Sequence, residues 1–572
     1  MKFLRVNLET KRITSEDVPP AHAGLGGRGL TASLLNAEVP PNCDPLGPEN
    51  KLIFAPGILT GTPLVNTSRV SVGAKSPLTG GIKESNAGGT APAALGRLGL
   101  TAVIVEGQAA AGELYLLRID QNGQAALVDA RAYQGMRTYA LVDRLLQEYG
   151  EKNGILCIGP AGEQRLALAS IQSSDVDGRP CRAAGRGGLG AVMGSKGLKA
   201  ILVDRQGRSQ VPINDPPAFK AAAGVFAQAL KNNVSTGQTL PSLGTAGLVS
   251  AVNSLGAFPS YNATRGTLEG WEKISGEKLA EIIRERGGNP THMGCSQCAI
   301  HCSNVFVDQQ GKYVTSSLEY ETLWSMGGMT GIADLDVIAK LDFLSDDIGL
   351  DTMGAGVAIA VAMDAGHRPF GDAQAALDLM EEMAVGTPLG RVLGGGAVAV
   401  GRHFHHHRVP AVKGQSIAAY DPRVMQANGV TYATSPMGAD HTAGNLIGSY
   451  TSGKLTPLVK KGQVEASRAA QVAMAALDCT GLCLLAGSVL AQPEAAAAYL
   501  TMINARLGTR LGPDDLTAMG RRTLLAEREF NRQAGLTDQD DRLAEFFYQE
   551  PLPPHNQVFL IEDEELDRVF DF

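Results

Sequence analysis

No surplus of positive charge runs through this sequence: 50 Lys and Arg stand against 58 Asp and Glu, a net charge of −8. Binding nucleic acid or an anionic membrane surface needs a dense positive field, so no nucleic acid and no membrane is expected as a partner. A buried anionic ligand would need only local arginines. Long apolar runs are missing too. The best stretches, Met353 to Met363 and Leu482 to Leu490, fall short of the roughly 18 residues that cross a bilayer. The opening segment MKFLRVNLETKRITSEDVPP alternates apolar and polar residues like a strand and turn, without the continuous apolar core of a secretion signal. A soluble, cytoplasmic chain is expected. Cysteine is sparse, with 8 residues in 572, and three of them crowd into one short segment. That pattern reads as metal binding rather than a disulfide framework.

Glycine, by contrast, is abundant. The 69 glycines in 572 residues exceed the roughly 7% of average proteins and follow no collagen-like period, so backbone must approach something closely in many places. The length points to two or three domains. Up to about residue 206, runs such as Lys51-Leu-Ile-Phe-Ala-Pro, Ala102-Val-Ile-Val-Glu, Leu114-Tyr-Leu-Leu-Arg, Gly154-Ile-Leu-Cys-Ile-Gly and Ala200-Ile-Leu-Val-Asp read as short strands between turns. From Asp215 onward helices dominate. Asp215 is a cap with Pro216 and Pro217 in the first turn, and Phe219, Ala222, Val225, Phe226 and Leu230 share one face. Asp334 to Ile348 and the alanine-rich Ala466 to Leu477 read likewise as helices. The stretch Gly390 to Lys413, with His403, His405, His406 and His407, reads as a helix end and a solvated loop. The expected class is therefore α+β: a β-rich N-terminal domain over residues 1–208, then two mainly helical domains over 209–405 and 406–572.

Cys295-Ser-Gln-Cys298-Ala-Ile-His-Cys302 has the spacing CxxCxxxC, which lets three thiolates from one tight turn reach three corners of a compact iron-sulfur cluster. Structural zinc normally uses two separated ligand pairs and fits less well; a chance grouping of buried cysteines is the bland alternative. Radical-SAM enzymes use the opposite order, CxxxCxxC. The fourth ligand must come from elsewhere, and spacing alone does not choose between Cys479 and Cys483.

A second signal is Arg182-Ala-Ala-Gly185-Arg186-Gly-Gly-Leu-Gly190-Ala-Val-Met-Gly-Ser-Lys196. Small residues there expose backbone N–H groups beside two arginines and a lysine, which suits phosphate. Gly185, Gly187 and Gly190 match GxGxxG, and Asp204 lies at a suitable distance for a ribose contact. The preceding segment is polar, however, and the next strand comes too soon for a crossover helix, so a dinucleotide turn is disfavoured. Arg69 and the stretch Lys75-Ser-Pro-Leu-Thr-Gly-Gly-Ile-Lys-Glu-Ser-Asn86-Ala-Gly88-Gly89 echo this composition. Two such loops in one β domain suggest a large anionic cofactor held from several sides.

These motifs, in order with Gly26-Gly-Arg-Gly-Leu, Gly159-Pro-Ala-Gly-Glu, Glu319-Tyr-Glu321, Asp346-Asp-Ile-Gly-Leu-Asp351, Tyr420-Asp-Pro-Arg and Asp478-Cys-Thr-Gly-Leu-Cys483, resemble the aldehyde:ferredoxin oxidoreductase family over nearly the whole chain. The resemblance implies a bis-pterin cofactor carrying tungsten or molybdenum, one [4Fe-4S] cluster, and Mg2+ bridging the pterin phosphates. It places Cys483 with Cys295, Cys298 and Cys302 as cluster ligands and leaves Cys479 at a variable position. Arg69 would lie between cluster and pterin, and Asn86, Gly88, Arg182, Ala183, Gly185 and Arg186 would form the cofactor cradle. Asp346, Leu350 and Asp351, with Asp478 and Leu482, would bind the pterin rings. The bland readings are a helix cap for Asp351 and a solvated residue for Asp346.

The activity implied is oxidation of an aldehyde to a carboxylic acid, with Glu321 moving a proton and His441 hydrogen-bonding the carbonyl oxygen. Electrons would pass to ferredoxin, or to a ferredoxin-like iron-sulfur subunit accompanied in some relatives by a flavin subunit. Where some members bind an interface iron through a glutamate and a histidine, this chain has Lys340 and Leu377. A homo-oligomer would therefore lack a bridging iron. Cys43, Cys157 and Cys181 read as small buried residues. Competing readings are a reductive enzyme like the tungsten subunit of class II benzoyl-CoA reductases, which would need an extra metal-ligating cysteine, and a pterin-free electron-transfer subunit. The unrelated molybdopterin oxidoreductases carry CxxCxxxC near the N-terminus, unlike this chain.

Overall fold

The computed structural model describes residues 1–572. Its first part holds two six-stranded sheets. The strands are β1 (Lys2–Asn7), β2 (Arg12–Asp17), β3 (Leu52–Pro56), β4 (Val70–Lys75), β5 (Ile82–Ala87), β6 (Leu100–Glu106), β7 (Tyr115–Ile119), β8 (Ala125–Asp129), β9 (Asn153–Cys157), β10 (Ile171–Ser173), β11 (Arg182–Ala184) and β12 (Leu198–Asp204). The orders are β2-β1-β6-β3-β4-β5 and β11-β10-β9-β12-β7-β8. Only the β1–β6 and β12–β7 pairs run parallel.

Two-residue periodicity explains how these strands pack. Leu52, Phe54, Val103 and Val105 of the first sheet meet Leu156, Ile201 and Val203 of the second in one core. Their alternates face outward. Ile53, Ala55 and Ile104 bury against Leu30, Leu34 and Leu35 of the Gly27–Glu38 helix. Ile155, Ala200 and Leu202 bury against Leu141, Val142 and Leu145 of the Thr138–Tyr149 helix. β11 is an antiparallel edge strand followed by a short helix, Leu189–Ser195. The glycines there form no parallel-strand dinucleotide turn.

The remainder is mainly helical. Asp215 caps Pro216–Asn232 by accepting from the Ala218 N–H at 3.0 Å, and Asp334 caps Leu335–Ile348 in the same way. The Thr352–Asp364 helix is apolar and buried along nearly all its length, as expected of a helix with no solvent face. The core does not divide near residue 405: Val400, Val412, Tyr420 and Phe559 belong to one apolar cluster with Trp324 and Ile359.

Two local expectations are corrected. The stretch from Gly390 lies largely in helices Pro388–Gly394 and Ala397–Phe404. Of the histidines, His403, His405 and His407 are exposed as expected, and only His406 is pinned: its Nε2 lies 2.7 Å from Asp364, and Arg408 joins Asp364 to Glu550. A three-stranded sheet, β13 (Asn289–His292), β14 (Ser303–Val307) and β15 (Tyr313–Ser316), also interrupts the helices. The cysteine turn is the β13–β14 connection.

The N-terminal part and the end of the Gln463–Thr480 helix meet backbone to backbone. The Ile58 and Leu59 N–H groups donate to the Cys479 and Thr480 carbonyls at 3.1 and 2.9 Å. A Cβ on Gly57 would lie 2.1 Å from the Gly481 nitrogen, and one on Gly27, whose φ is +48°, would lie 2.0 Å from the Asp478 oxygen. Gly57→Ala is therefore expected to destabilise the protein by about 3 kcal/mol in denaturant titrations. Gly448→Ala, in open helical space, should be neutral or stabilising by up to about 1 kcal/mol.

Candidate active site

Asn66 ties the cysteine turn to Cys483. Its N–H donates to the Gln297 carbonyl at 2.9 Å, and its carbonyl accepts from the Cys483 N–H at 2.8 Å. Its side chain accepts from the Ala299 N–H at 3.1 Å and reaches Cys298 Sγ at 3.5 Å. Gln297 and His301 adopt left-handed backbone conformations, φ 56° and 58°, which reverse the chain between successive cysteines and aim the His301 N–H at Cys298 Sγ, 3.3 Å away.

The four cysteines form no disulfide and are half-buried, and no three of their sulfurs lie within 4.8 Å of one another. A single zinc, about 2.3 Å from each sulfur, would require neighbouring sulfurs about 4 Å apart. The set is too open for one ion and suits a polynuclear cluster. Burial pushes the Cys298 thiol up and the Cys302 thiol well up, with Arg182 pulling the latter back. Cys479 is turned away: its Sγ contacts the Ala475 carbonyl at 3.0 Å and packs against Gly29 and Thr523.

The glycine and arginine loops converge on the same place. A Cβ on Gly88 would lie 2.5 Å from Cys295 Sγ and 2.9 Å from Arg69 Nη1. Arg69 Nε donates to Asn86 Oδ1 at 2.5 Å. Arg182 donates to Glu319 Oε1 at 2.8 Å and passes so close to Gly294 that a side chain there would overlap its guanidinium. Ala183 and Gly185 are half-buried, and nothing lies within 4 Å of a Cβ built on Gly185. The Arg186 guanidinium is committed within the protein, to Asp351, the Ala439 carbonyl and Ser416, and its backbone N–H donates to Ser85 Oγ at 3.3 Å.

Asp346 is buried, not solvated as the bland reading had it; burial and then Asp342 push its carboxyl well up, opposed by Arg182. Asp351 does cap the following helix, accepting from the Met353 N–H at 3.1 Å, while its other oxygen lies 3.3 Å from Arg186 Nε. Asp478 is pushed up to about 8 by burial and by Glu84, with Arg28 opposing from 3.4 Å. Leu350 and Leu482 are buried beside these aspartates, Leu350 bridging to Ala169.

Glu321 and His441 face each other, with Glu321 Oε1 3.3 Å from His441 Nε2. The distance permits an ion pair, but the angle is poor: Oε1 and His441 Nδ1 are both buried without a hydrogen-bond partner. Glu321 Oε2 accepts from the Ala419 N–H at 3.0 Å. Burial raises the Glu321 carboxyl, opposed first by His441. Tyr420 and Tyr432 stand close by, the Tyr432 hydroxyl without a partner.

Sequence reasoning missed Asn66, Lys83 and Asp440. Lys83 Nζ forms a buried ion pair with Asp440 Oδ2 at 2.9 Å, and Asp440 Oδ1 lies 3.7 Å from His441 Nδ1. Lys83 lies inside a motif already singled out, but only the fold shows that it and Asn86 point to opposite faces of β5. Arg28, in the Gly26-Gly-Arg-Gly motif, forms a paired contact with Glu527 at 2.7 and 2.8 Å.

Family models describe both parts of this chain: the aldehyde ferredoxin oxidoreductase N-terminal domain matches residues 3–205, and domains 2 and 3 match residues 222–571. The tungsten-containing aldehyde ferredoxin oxidoreductase of Pyrococcus furiosus is 36% identical over 96% of this chain and 92% of its own, and that of Thermococcus kodakarensis is 35% identical over the same shares. A more distant relative, the aliphatic sulfonate oxidoreductase WOR-like subunit of Pyrococcus furiosus, is 26% identical over 77% of this chain and 74% of its own. In fold, the active site complex BamBC of benzoyl coenzyme A reductase matches with a TM-score of 0.82 and 20% identity, covering 100% of this chain and 93% of that one. The chain is an oxidoreductase enzyme. It belongs to the aldehyde ferredoxin oxidoreductase family.

Lys83 holds Asp440 well below the usual carboxylate range against the opposing effect of burial. Lys83→Met strands a buried charge and should destabilise the protein by about 3–5 kcal/mol at pH 7, with Lys83→Met/Asp440→Asn recovering part of the loss. Because the Asp440 pKa is depressed in the fold, its contribution is present above about pH 4 and is lost as the pH falls through the folded value. The gap between wild type and Lys83→Met should narrow in acid, as read by unfolding titrations across pH.

Proposed function

We propose that this chain oxidises an aldehyde to its carboxylic acid, with water as the oxygen source: RCHO and H2O give RCOOH, two protons and two electrons. The electrons leave through a [4Fe-4S] cluster to ferredoxin or to an iron-sulfur partner subunit. The observation that supports this most directly is the abutment of Gly88 and Arg69 on Cys295, which joins the cofactor cradle to the cysteine turn.

The residues present fit a bis-pterin metal cofactor. Arg182 Nε, Glu321 Oε1, His441 Nδ1 and the Tyr432 hydroxyl are buried without partners, and Gly185 borders open interior space. Asp346 and Asp478 are buried carboxyls placed to accept from the ring N–H groups of a ligand. Asp346, Leu350 and Asp351 would hold one pterin, and Asp478 and Leu482 the other. Asn86, Gly88, Arg182, Ala183, Gly185 and Arg186 would form the cradle for the phosphates and their Mg2+. Cys295, Cys298, Cys302 and Cys483 would hold the cluster. When bound, the tungsten or molybdenum centre supplies the two-electron sink.

The chain's own residues do the rest. Glu321, raised by burial, accepts a proton from water or the hydrated substrate at Oε1. His441 donates from Nε2 to the substrate carbonyl oxygen, with Asp440 facing its other nitrogen. The Arg186 contact with the Ala439 carbonyl fixes the loop that carries both Asp440 and His441. A benzoyl-CoA reductase-like chemistry is less well supported, because the remaining thiols, Cys43, Cys157, Cys181 and Cys479, are all buried, with Cys181 on Asp175 and Cys479 on Ala475.

Anaerobically purified protein is expected to contain about four irons and one tungsten or molybdenum per chain. Cys483→Ala should lose the cluster's visible absorbance while Cys479→Ala keeps it; the opposite result would reverse the ligand assignment. Glu321→Gln should retain metal content yet reduce aldehyde-dependent viologen reduction by about 100-fold or more. In the wild type, the acid limb of kcat/KM should lie above the ordinary glutamate value of about 4.3, with the rate rising as Glu321 ionises. Unchanged turnover in Glu321→Gln would remove this residue from the mechanism.

A further inference from the structure

We infer that Asn66 tunes the reduction potential of the cluster: its side-chain amide donates to Cys298 Sγ and favours the reduced state, which makes it a positioning residue for electron transfer and not a ligand. The inference rests on the proposed cluster at the four cysteines and assigns a role to a residue outside them.

Backbone and side chain together fix this contact. Asn66 has a left-handed backbone, φ 60°, a conformation that asparagine adopts more readily than most residues with a side chain. In that conformation its N–H donates to the Gln297 carbonyl at 2.9 Å and its carbonyl accepts from the Cys483 N–H at 2.8 Å. One residue thus spans the cysteine turn and the fourth cysteine. The orientation of the amide is settled by a backbone donor: Oδ1 accepts from the Ala299 N–H at 3.1 Å. That leaves Nδ2, the donor, toward Cys298 Sγ at 3.5 Å.

Asn66 is buried, so water competes little for its donor, and a hydrogen bond in such surroundings is electrostatically stronger than in water. The same sulfur also faces the His301 N–H at 3.3 Å. A thiolate sulfur gains negative charge when its cluster is reduced. An N–H dipole aimed at it is therefore worth more in the reduced state, and hydrogen bonds to the sulfurs are among the terms that set such potentials. Arg69, three residues on, donates to Asn86 and lies near Cys295, so one short segment offers a neutral donor to one cysteine and a cation beside another. Aspartate at position 66 would tolerate the backbone and keep an acceptor for Ala299, yet would turn the donor into a second oxygen facing a thiolate. It is the sulfur, not the turn, that calls for an amide.

The test is an EPR-monitored redox titration of the anaerobically purified holoenzyme, which needs no aldehyde turnover. Asn66→Gly keeps the left-handed backbone and removes the donor without adding charge. The equilibrium constant for reducing its cluster should fall by about threefold, a potential about 30 mV lower on the one-electron scale of about 59 mV per tenfold. Asn66→Asp should lower the constant by about tenfold, or about 59 mV. In both variants, ENDOR spectra of the reduced cluster in H2O and D2O should show one exchangeable proton coupling fewer than in wild type, which separates loss of the hydrogen bond from added charge. If Asn66→Gly alone loses its cluster, the Asn66→Asp potential and proton coupling decide. An unchanged or raised potential, or an undiminished proton coupling, in a variant that retains its cluster would overturn the inference. So would loss of the cluster from Asn66→Asp, which keeps the contacts to Ala299, Gln297 and Cys483. Wild-type protein without a [4Fe-4S] signal would sink the cluster reading and this inference together. A cluster that titrates as expected in protein showing no aldehyde-dependent dye reduction would overturn the proposed reaction alone.

Discussion

Burial of ionisable groups that the protein does not itself neutralise is the constraint on which this structure depends. Asp346, Asp478 and Glu321 are drawn out of water and shifted toward the neutral form, and Arg182 has a buried nitrogen without a partner. A polar group held this way costs free energy unless something hydrogen-bonds it. Lys83–Asp440 and Arg28–Glu527 show the alternative within the same fold, since those buried charges are paired. Asp478 meets Arg28 only at 3.4 Å, Glu321 meets His441 at 3.3 Å, and Arg182 opposes the shift of Asp346 without cancelling it; such incomplete compensation is expected where a polar ligand supplies further partners. Ligand binding then contributes to folding as well as to chemistry, because whatever binds only the native state stabilises it.

The parts that enclose this region are joined where side chains are absent. Gly27 and Gly57 bring the N-terminal part against Asp478, Thr480 and Gly481 with no room for a Cβ. Gly159 does the same against Ile348 and Gly349, beside Asp346 and Leu350. Both aspartate-leucine motifs are thus held by backbone contact to the β-rich part. That explains the glycine content better than flexible turns would, although turn glycines with open surroundings, such as Gly112 and Gly123, exist too.

Much of this was legible in the sequence, and the remainder failed for identifiable reasons. Strands β3, β6, β7, β9 and β12 follow from short β-branched runs, and the Asp215 and Asp334 caps from local chemistry that needs no tertiary information. The family resemblance, not the spacing, placed Cys483 rather than Cys479 among the ligands, and the two differ physically: one backbone is tied to Asn66, the other sulfur is packed against Gly29. The stretch from Gly390 reads as only a helix end and loop because glycine and histidine are weak helix formers, yet burial of Leu393, Ala397 and Val400 in the main core overrides that propensity. The small sheet around the cysteine turn was missed because its strands are short and the turn itself dominated the pattern. Asn66, Lys83 and Asp440 carry no local signature. Their roles exist only because distant segments meet.

The cysteine turn is backed by positive charge. On its inner side Arg69 and Arg182 approach Cys295 and Cys302, so positive charge stabilises thiolates and any added electron. On the strand that leads into the turn, His292 is held by Asp177 at 3.0 Å. Potentials of sulfur-ligated clusters respond to nearby charge, hydrogen bonds and solvent exposure. Cations behind the turn favour the reduced form, while hydrogen bonds such as the His301 N–H to Cys298 adjust it locally.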